Sequence, residues 1–397
     1  MLNDARQVIE KLKQACTGKT IRMIVEGPTS NTSRIVMHID FDYFFAQCEE
    51  IRQPELRSKP VVVCVFSGRT EDSGVVSTAN YIARNYGVKS GMPIRVAKSK
   101  LAISEAVFLP LDSAYYLKVS ESAMSIIAPN ADRFEHVGID ECYLDVSKTA
   151  SSFDAAKSLA RAIKNEVKNQ AQLTCSIGVA PNKMLAKIAS DLHKPDGLTV
   201  IEPGNAVEFI AGMDVGRIPS IGPKTSDRLG ELGVETIRDL AKFDLFRLIE
   251  EFGKKTATYM HNASKGVDDE PVVESGEKQQ IMRITTLKKD ATSSGEMLSD
   301  LYEICQSVFQ TATDRGLTFR TLGILLILDN LDNITRTKRL KVHSNNFESL
   351  HSAARSLLDE AMKEAGAVKV RRLGVRLLEL QRSVGQNTIL DFMDSAG

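Results

Sequence analysis

The chain lacks several things that would narrow its chemistry quickly. Its six cysteines in 397 residues, Cys16, Cys48, Cys64, Cys142, Cys175 and Cys305, are scattered without CxxC or His-paired spacing. That excludes a zinc ribbon and a disulfide scaffold, and predicts reduced thiols in the cytoplasm. No apolar run is long enough to span a bilayer, and no signal-peptide pattern opens the chain, so no membrane partner is expected. Charge of one sign is also missing, because 51 basic and 51 acidic residues cancel. A polyanion partner must then be met by local patches rather than by a global field. The length allows two to four domains.

What is present is acid in apolar surroundings. Ile35-Val36-Met37-His38-Ile39-Asp40-Phe41-Asp42 reads as a strand that ends in carboxylates. About a hundred residues later Val137-Gly138-Ile139-Asp140-Glu141-Cys142-Tyr143-Leu144-Asp145 is a second apolar segment, interrupted by adjacent acids. An ionised carboxylate at the edge of an apolar strand is costly unless neutralised. Two such strands side by side would hold three acids around a pair of magnesium ions. That layout suits phosphoryl transfer. Strand alternation puts Asp40 on a face with Val36 and His38, and leaves Ile35, Met37, Ile39 and Phe41 to the core. Asp140 and Glu141 cannot both face one way in a regular strand, which predicts a hairpin turn or bulge at Gly138, beside Asp40.

The rest of the chain falls into four stretches. The spacing predicts a helix over 5–16, then a polar segment to residue 33 with no assignable chemistry. From 34 to 203 strands and helices alternate. With 48–109 set aside as an insertion, a strand at 35–40, helix 113–128, the acidic hairpin, helix 153–170 and strand 173–179 make a βαββαβ unit. This is the split-βαβ, ferredoxin-like arrangement. Residues 204–267 read as helix broken at Ile218-Pro219-Ser220-Ile221-Gly222 and Glu251-Phe252-Gly253-Lys254, hairpins whose backbone N–H groups suit phosphate. After a polar link at 268–278, a second βαββαβ pattern runs over 279–383. Its last strands carry Arg336, Lys338, Arg339, Lys341, Arg371, Arg372 and Arg376, a surface suited to a nucleic-acid backbone. The fold class is a multidomain α/β (α+β) protein.

Five motifs carry a family resemblance: Asp40-Phe41-Asp42-Tyr43-Phe44-Phe45-Ala46, Ser77-Thr78-Ala79-Asn80-Tyr81 with Ala83-Arg84, Gly138-Ile139-Asp140-Glu141 with Tyr143-Leu144-Asp145, Gly178-Val179-Ala180 with Asn182-Lys183, and Lys194-Pro195-Asp196-Gly197. Over 34–392 the chain resembles a Y-family, lesion-bypass DNA polymerase of the DinB (polymerase IV/kappa) branch, archaeal in type. The resemblance implies a palm at 34–47 and 110–203, fingers at 48–109, a thumb with helix-hairpin-helix motifs at 204–267 and a little finger at 279–383. It implies template-directed, low-fidelity synthesis without proofreading, with primer-template DNA and dNTP as partners of a monomeric enzyme.

The same resemblance assigns roles. Asp40 and Asp140 would bridge two Mg2+ ions, Glu141 would bind the ion that activates the primer 3′-hydroxyl, and the Phe41 carbonyl would be a further ligand. Asp42 is left out as a local structural acid. Tyr81 and Arg84, at i and i+3 on one helix face, would reach the triphosphate with Thr78, Lys194 and the amides of Tyr43, Phe44 and Phe45. Phe45 would strike a ribose 2′-hydroxyl. Gly222, Lys224, Gly253 and Lys254 in the thumb, with Arg336, Arg371, Arg372 and Arg376, would hold DNA. Ser220 departs from the pattern, where the first thumb hairpin usually has Gly.

The tail at 384–397 places Gln386, Ile389, Phe392 and Met393 where a short helical turn would present anchors. It resembles the clamp-binding box of archaeal and eukaryotic replication proteins, which implies a sliding clamp of the PCNA type as partner. Two other readings remain at this point. A nucleotide cyclase also sets two-metal carboxylates on a βαββαβ palm, but needs no helix-hairpin pair, no basic second sheet and no ring against ribose. A non-catalytic DNA-binding scaffold would not need the full acid set.

Overall fold

The computed structural model describes residues 34–102, 105–274 and 280–382. The helix expected over 5–16 and the clamp-binding tail, with Gln386, Ile389, Phe392 and Met393, lie outside the described residues. In chain order the strands are β1 Val36–Phe41, β2 Val61–Phe66, β3 Gly74–Ala79, β4 Val107–Pro110, β5 Arg133–His136, β6 Glu141–Asp145, β7 Cys175–Ala180, β8 Leu198–Val200, β9 Gln280–Ala291, β10 Leu317–Leu328, β11 Asn333–Ser344, β12 Val370–Leu378 and β13 Gln381–Arg382. The α-helices are α1 Phe44–Arg52, α2 Tyr81–Asn85, α3 Ile94–Lys100, α4 Ser113–Ile127, α5 Phe153–Ala171, α6 Lys183–Leu192, α7 Ala206–Ala211, α8 Pro223–Glu231, α9 Ile237–Lys242, α10 Leu245–Ser264, α11 Leu298–Asp314 and α12 Phe347–Ala365. They divide into two compact units, which join at Asp42 and Tyr43 in the sequence. One holds the described residues up to 42 with 114–274, and the other holds 43–113 with 280–382.

In the first unit the strands order as β5-β6-β1-β7-β8, with β1 central and antiparallel to both β6 and β7. Alternation along β1 predicts one buried face, yet Val36 and His38 are as fully buried as Met37 and Ile39. The reason is α6. Asn182 caps it by accepting from Leu185 N at 2.9 Å, and its residues Met184, Leu185 and Ile188 join Val36 in one core. The helix can lie on the sheet because Gly178 of β7, directly across from His38, has no side chain. A Cβ there would stand 2.0 Å from Ala186 O and 2.5 Å from Ser190 N. Replacing Gly178 would therefore push α6 off the strand.

The helical part of this unit is broken at two places. Ser220 takes φ 71°, a left-handed conformation, and Gly222 caps α8. Gly253, at φ 76° and ψ 157°, breaks what would otherwise be a continuous α10. There the missing Cβ is what makes the break tolerable.

The second unit contains two sheets. Val61–Phe66 lies between its two neighbours in a small sheet of order β3-β2-β4. The larger sheet orders as β11-β10-β12-β9, with β13 added on β10. One face is covered by α11 and α12, against which Leu322, Ile324 and Leu326 are wholly buried. Burying each such side chain is worth roughly 1.5–3 kcal/mol. In the loop between β2 and β3, Arg69 Nε donates to Leu287 O at 2.6 Å, and its guanidinium pairs with Asp290 at 2.6 Å. The small sheet is thereby tied to β9.

Candidate active site

The first unit brings the three predicted acids together. Asp40 and Glu141 are directly opposed across β1 and β6, and Asp140 lies in the turn just before Glu141. Phe41 N donates to Asp140 O at 2.8 Å, so the turn is stitched to the end of β1. Val137 N and Gly138 N both donate to Glu141 O at 3.2 Å, which closes the hairpin where adjacent acids required it. From behind, the Ser120 hydroxyl of α4 donates to Ile139 O.

The acids do not share one electrostatic state. Burial, with Asp140 nearby, pushes Asp40 up to about 6, although Lys194 holds it at 2.7 Å. Burial and the adjacent Glu141 also raise Asp140. Glu141 runs the other way, to about 2, because His38 donates to it at 3.2 Å and Lys187 at 2.5 Å. Burial works against the Lys194 ammonium, yet Asp40 and Asp191 together keep its pKa above the ordinary lysine value. Asp42 is buried and structural. Its carboxylate accepts from Ser176 Oγ at 2.7 Å and from Asp196 N at 2.9 Å, anchoring the Lys194-Pro195-Asp196-Gly197 loop.

The predicted phosphate-binding residues, Lys194 apart, belong to the second unit. Tyr43 has left-handed φ 37° and ψ 42° and stands as the cap residue before α1. Its hydroxyl donates to Glu50 at 3.1 Å, and its ring meets Tyr81 edge-on with centroids 5.3 Å apart. Arg84 lies over the Tyr81 ring at 4.9 Å and donates to Ala79 O at 2.8 Å. The i, i+3 pairing read from the sequence is thus realised. Thr78 is buried in β3, and Phe44 is buried while Phe45 is half-buried, their centroids 5.7 Å apart. Asn80, which sequence reasoning left without a role, organises this corner. It accepts from Ala83 N and Val61 N, and donates to Glu50 at 2.9 Å and Lys59 O at 2.8 Å.

Lys224 sits in the first turn of α8 behind Gly222, and Lys254 follows the Gly253 break. On the larger sheet, Arg372 and Arg376 pair across β10 with Ile327 and Gly323 and share the uncovered face with Ile284, which is 46% exposed. Arg371 lies at the β12 irregularity, 3.7 Å from Asp290. Arg336 corrects the sequence expectation. It stands opposite Ile324, on the helix-covered side, and its guanidinium is paired with Glu364 of α12.

A model of the impB/mucB/samB family matches residues 39–191, that of the family's C-terminal domain matches 278–389, and a DNA polymerase-iota thumb-domain model matches 216–268. The DNA polymerase IV of Nitrosopumilus maritimus is 47% identical over 91% of this chain and 99% of its own. That of Methanosarcina acetivorans is 39% identical over 90% and 99%. Among solved structures, a Y-family DNA polymerase chimera of Dbh and Dpo4 segments aligns with TM-score 0.83 at 35% identity, covering 88% of this chain and 100% of the chimera. The chain belongs to the Y family of DNA polymerases.

As a Y-family member it is a DNA-directed DNA polymerase of the lesion-bypass type, and it uses a divalent metal. The cyclase and scaffold readings fall away. The donor set fits such a metal. Hard carboxylate oxygens on Asp40, Asp140 and Glu141 are the ligands that a hard cation takes. Two of them are held above their ordinary pKa by burial and like charge, so the cluster stands short of positive charge. Among the described residues no three such side chains already form a metal-holding group. Asp40 is turned to Lys194, and Glu141 to His38 and Lys187. Neither His38 nor Lys187 was singled out by sequence reasoning. A lysine one turn into an amphipathic helix reads as a solvated charge, and only the packing of α6 on Gly178 turns it toward an acid.

Proposed function

We propose that this Y-family polymerase holds two Mg2+ ions on Asp40 and Asp140, with Glu141 and the Phe41 carbonyl as further ligands, and joins a dNTP to a primer 3′-hydroxyl. The observation that carries this reading is the direct opposition of Asp40 and Glu141 beside Asp140, with Asp40 pushed up to about 6 by burial. Bound there, the ions would lower the hydroxyl's pKa and stabilise the departing pyrophosphate.

The chain's own residues do the rest. The Arg84 guanidinium, set by Tyr81 and Ala79 O, offers paired N–H donors to the triphosphate. The Tyr81 hydroxyl, Thr78 and the Tyr43, Phe44 and Phe45 amides supply neutral donors. Lys194, in the loop that Asp42 anchors, supplies a positive charge. The half-buried Phe45 ring excludes a 2′-hydroxyl by size. Primer-template DNA is held by the Gly222–Lys224 and Gly253–Lys254 hairpins and by Arg371, Arg372 and Arg376. Arg336 is not part of that surface. The tail residues Gln386, Ile389, Phe392 and Met393 dock on a sliding clamp.

One set of extension assays tests the reading. Wild type should extend a primer with Mg2+ and deoxynucleotides only. Phe45→Ala should admit ribonucleotides far more readily while keeping deoxynucleotide activity, and deletion of 386–397 should leave basal extension but remove stimulation by the clamp. An unchanged sugar preference in Phe45→Ala, or a truncated chain still stimulated, would refute the corresponding assignment.

A further inference from the structure

Behind the acids lies a polar relay that the two-metal assignment does not use. His38 has no exposed surface, yet both ring nitrogens are engaged: Nδ1 lies 2.7 Å from Ser190 Oγ and Nε2 lies 3.2 Å from Glu141 Oε2. An ionised carboxylate only accepts, so Nε2 must carry the proton. Nδ1 faces the Ser190 hydroxyl, which also reaches the Lys187 carbonyl at 2.8 Å. The relay runs from Ser190 to His38 to Glu141. It exists because Gly178, across from His38 on β7, admits α6 close enough for Ser190 to reach the ring.

Lys187 Nζ also donates to Glu141, and to the same oxygen, Oε2, at 2.5 Å. Both protein donors therefore load one oxygen and leave Oε1 as the atom on which neither bears. A carboxylate steered in this way presents a single, defined lone-pair direction. We propose that His38, held at Nδ1 by Ser190, is a positioning residue that orients Glu141 so that Oε1 faces the catalytic cation. This rests on the assignment of Glu141 as a metal ligand. Such outer partners fix ligand orientation in metal sites, and their loss typically costs on the order of 10- to 100-fold in metal affinity or activity.

The test uses the full-length chain with primer-template and four substitutions: His38→Phe, which removes the donor but keeps a ring; His38→Gln, which keeps an amide donor; Ser190→Ala, which removes the partner at Nδ1; and Glu141→Gln. Mn2+ binding is followed by electron paramagnetic resonance with a non-hydrolysable dNTP, beside the Mg2+ concentration for half-maximal extension, DNA affinity and the melting temperature. His38→Phe should weaken Mn2+ binding and raise the half-saturating Mg2+ by roughly tenfold or more, with KM for dNTP at saturating Mg2+ and DNA affinity unchanged. His38→Gln should recover most of the loss, and Ser190→Ala should fall between. If His38→Phe does not fold, Ser190→Ala and His38→Gln carry the comparison on their own. Normal Mn2+ binding in the folded His38 and Ser190 variants, with binding lost in Glu141→Gln, would overturn this role alone. Normal binding in Glu141→Gln would overturn the ligand assignment beneath it.

Discussion

The two large sheets of this polymerase are written in the same order of elements, strand, helix, two strands, helix, strand, yet they close differently. In the first the opening strand β1 is central, flanked by β6 and β7. In the second the opening strand β9 is an edge and the closing strand β12 is central. The consequence is electrostatic. A central strand covered on both faces desolvates whatever polar group it ends in, so Asp40 is pushed up to about 6. A sheet covered on one face leaves its central arginines, Arg372 and Arg376, half-buried on the uncovered side, each with a buried Nε that no protein acceptor among the described residues meets. The first arrangement concentrates need for a cation at a point, whereas the second spreads positive charge over an area. One suits chemistry and the other suits holding a polyanion.

Charge removal should separate the two sheets by the kind of loss. Asp140→Ala or Glu141→Ala takes ligand charge from a site where charge stabilisation is worth several kcal/mol, and about 1.4 kcal/mol is tenfold in rate. Primer extension should fall by roughly a thousandfold or more while DNA affinity, read by fluorescence anisotropy, stays near wild type. Near-normal extension would end the contrast at once. Neutralising Arg371, Arg372 and Arg376 together should do the reverse, weakening DNA on every template sequence and flattening the salt slope by about 0.9 for each phosphate no longer neutralised. Arg336→Ala is the internal control. Already paired with Glu364 on the helix side, it should leave the salt slope alone. A slope that fell as far for Arg336→Ala would put the arginine surface on the wrong face.

Arg336 also marks the limit of what the sequence discloses. The acids were legible because carboxylates within apolar strands are anomalous, and Asp140-Glu141 forced a turn that the structure has. The Tyr81–Arg84 pair was legible because its spacing is local. Register is not local. Which face Arg336 takes depends on its standing opposite Ile324, and nothing near it in sequence says so. The same holds for strand order, since both patterns produce the same string. His38 was correctly placed on the Asp40 face, but its burial depends on a helix that reaches it only because Gly178, 140 positions away, is bare. Contacts of such sequence separation leave no periodic trace.

The pH dependence of stability offers a finer probe of the acid site, with opposite signs for two neighbours. In metal-free buffer Asp40 has a pKa of about 6 against an ordinary 3.8, so between these values the folded chain binds a proton that the unfolded chain does not. Its contribution to stability therefore rises as pH falls from about 6 toward 4. Glu141, at about 2 against 4.5, contributes stability above 4.5 that is lost as pH falls toward 2. Melting temperatures of wild type and Asp40→Asn in EDTA isolate the first effect. Their difference should shrink on acidification through that window, and saturating Mg2+ should suppress the trend. A difference independent of pH would mean that Asp40 is not desolvated as described.

The smallest expected effect lies in the first thumb hairpin, which contrasts with the second in one residue. Gly253 takes its positive φ without strain, whereas Ser220 holds φ 71° with a side chain attached. A left-handed conformation costs a residue with a Cβ roughly 1–2 kcal/mol, part of which glycine gives back through its freer unfolded chain. Ser220→Gly should therefore raise stability by about 0.5–1 kcal/mol. In a urea titration this appears as a higher midpoint at unchanged slope. The hairpin backbone keeps its conformation, so DNA affinity should not fall. A lower midpoint would show that the serine side chain makes a compensating contact, and that the departure from glycine at this position is itself stabilising.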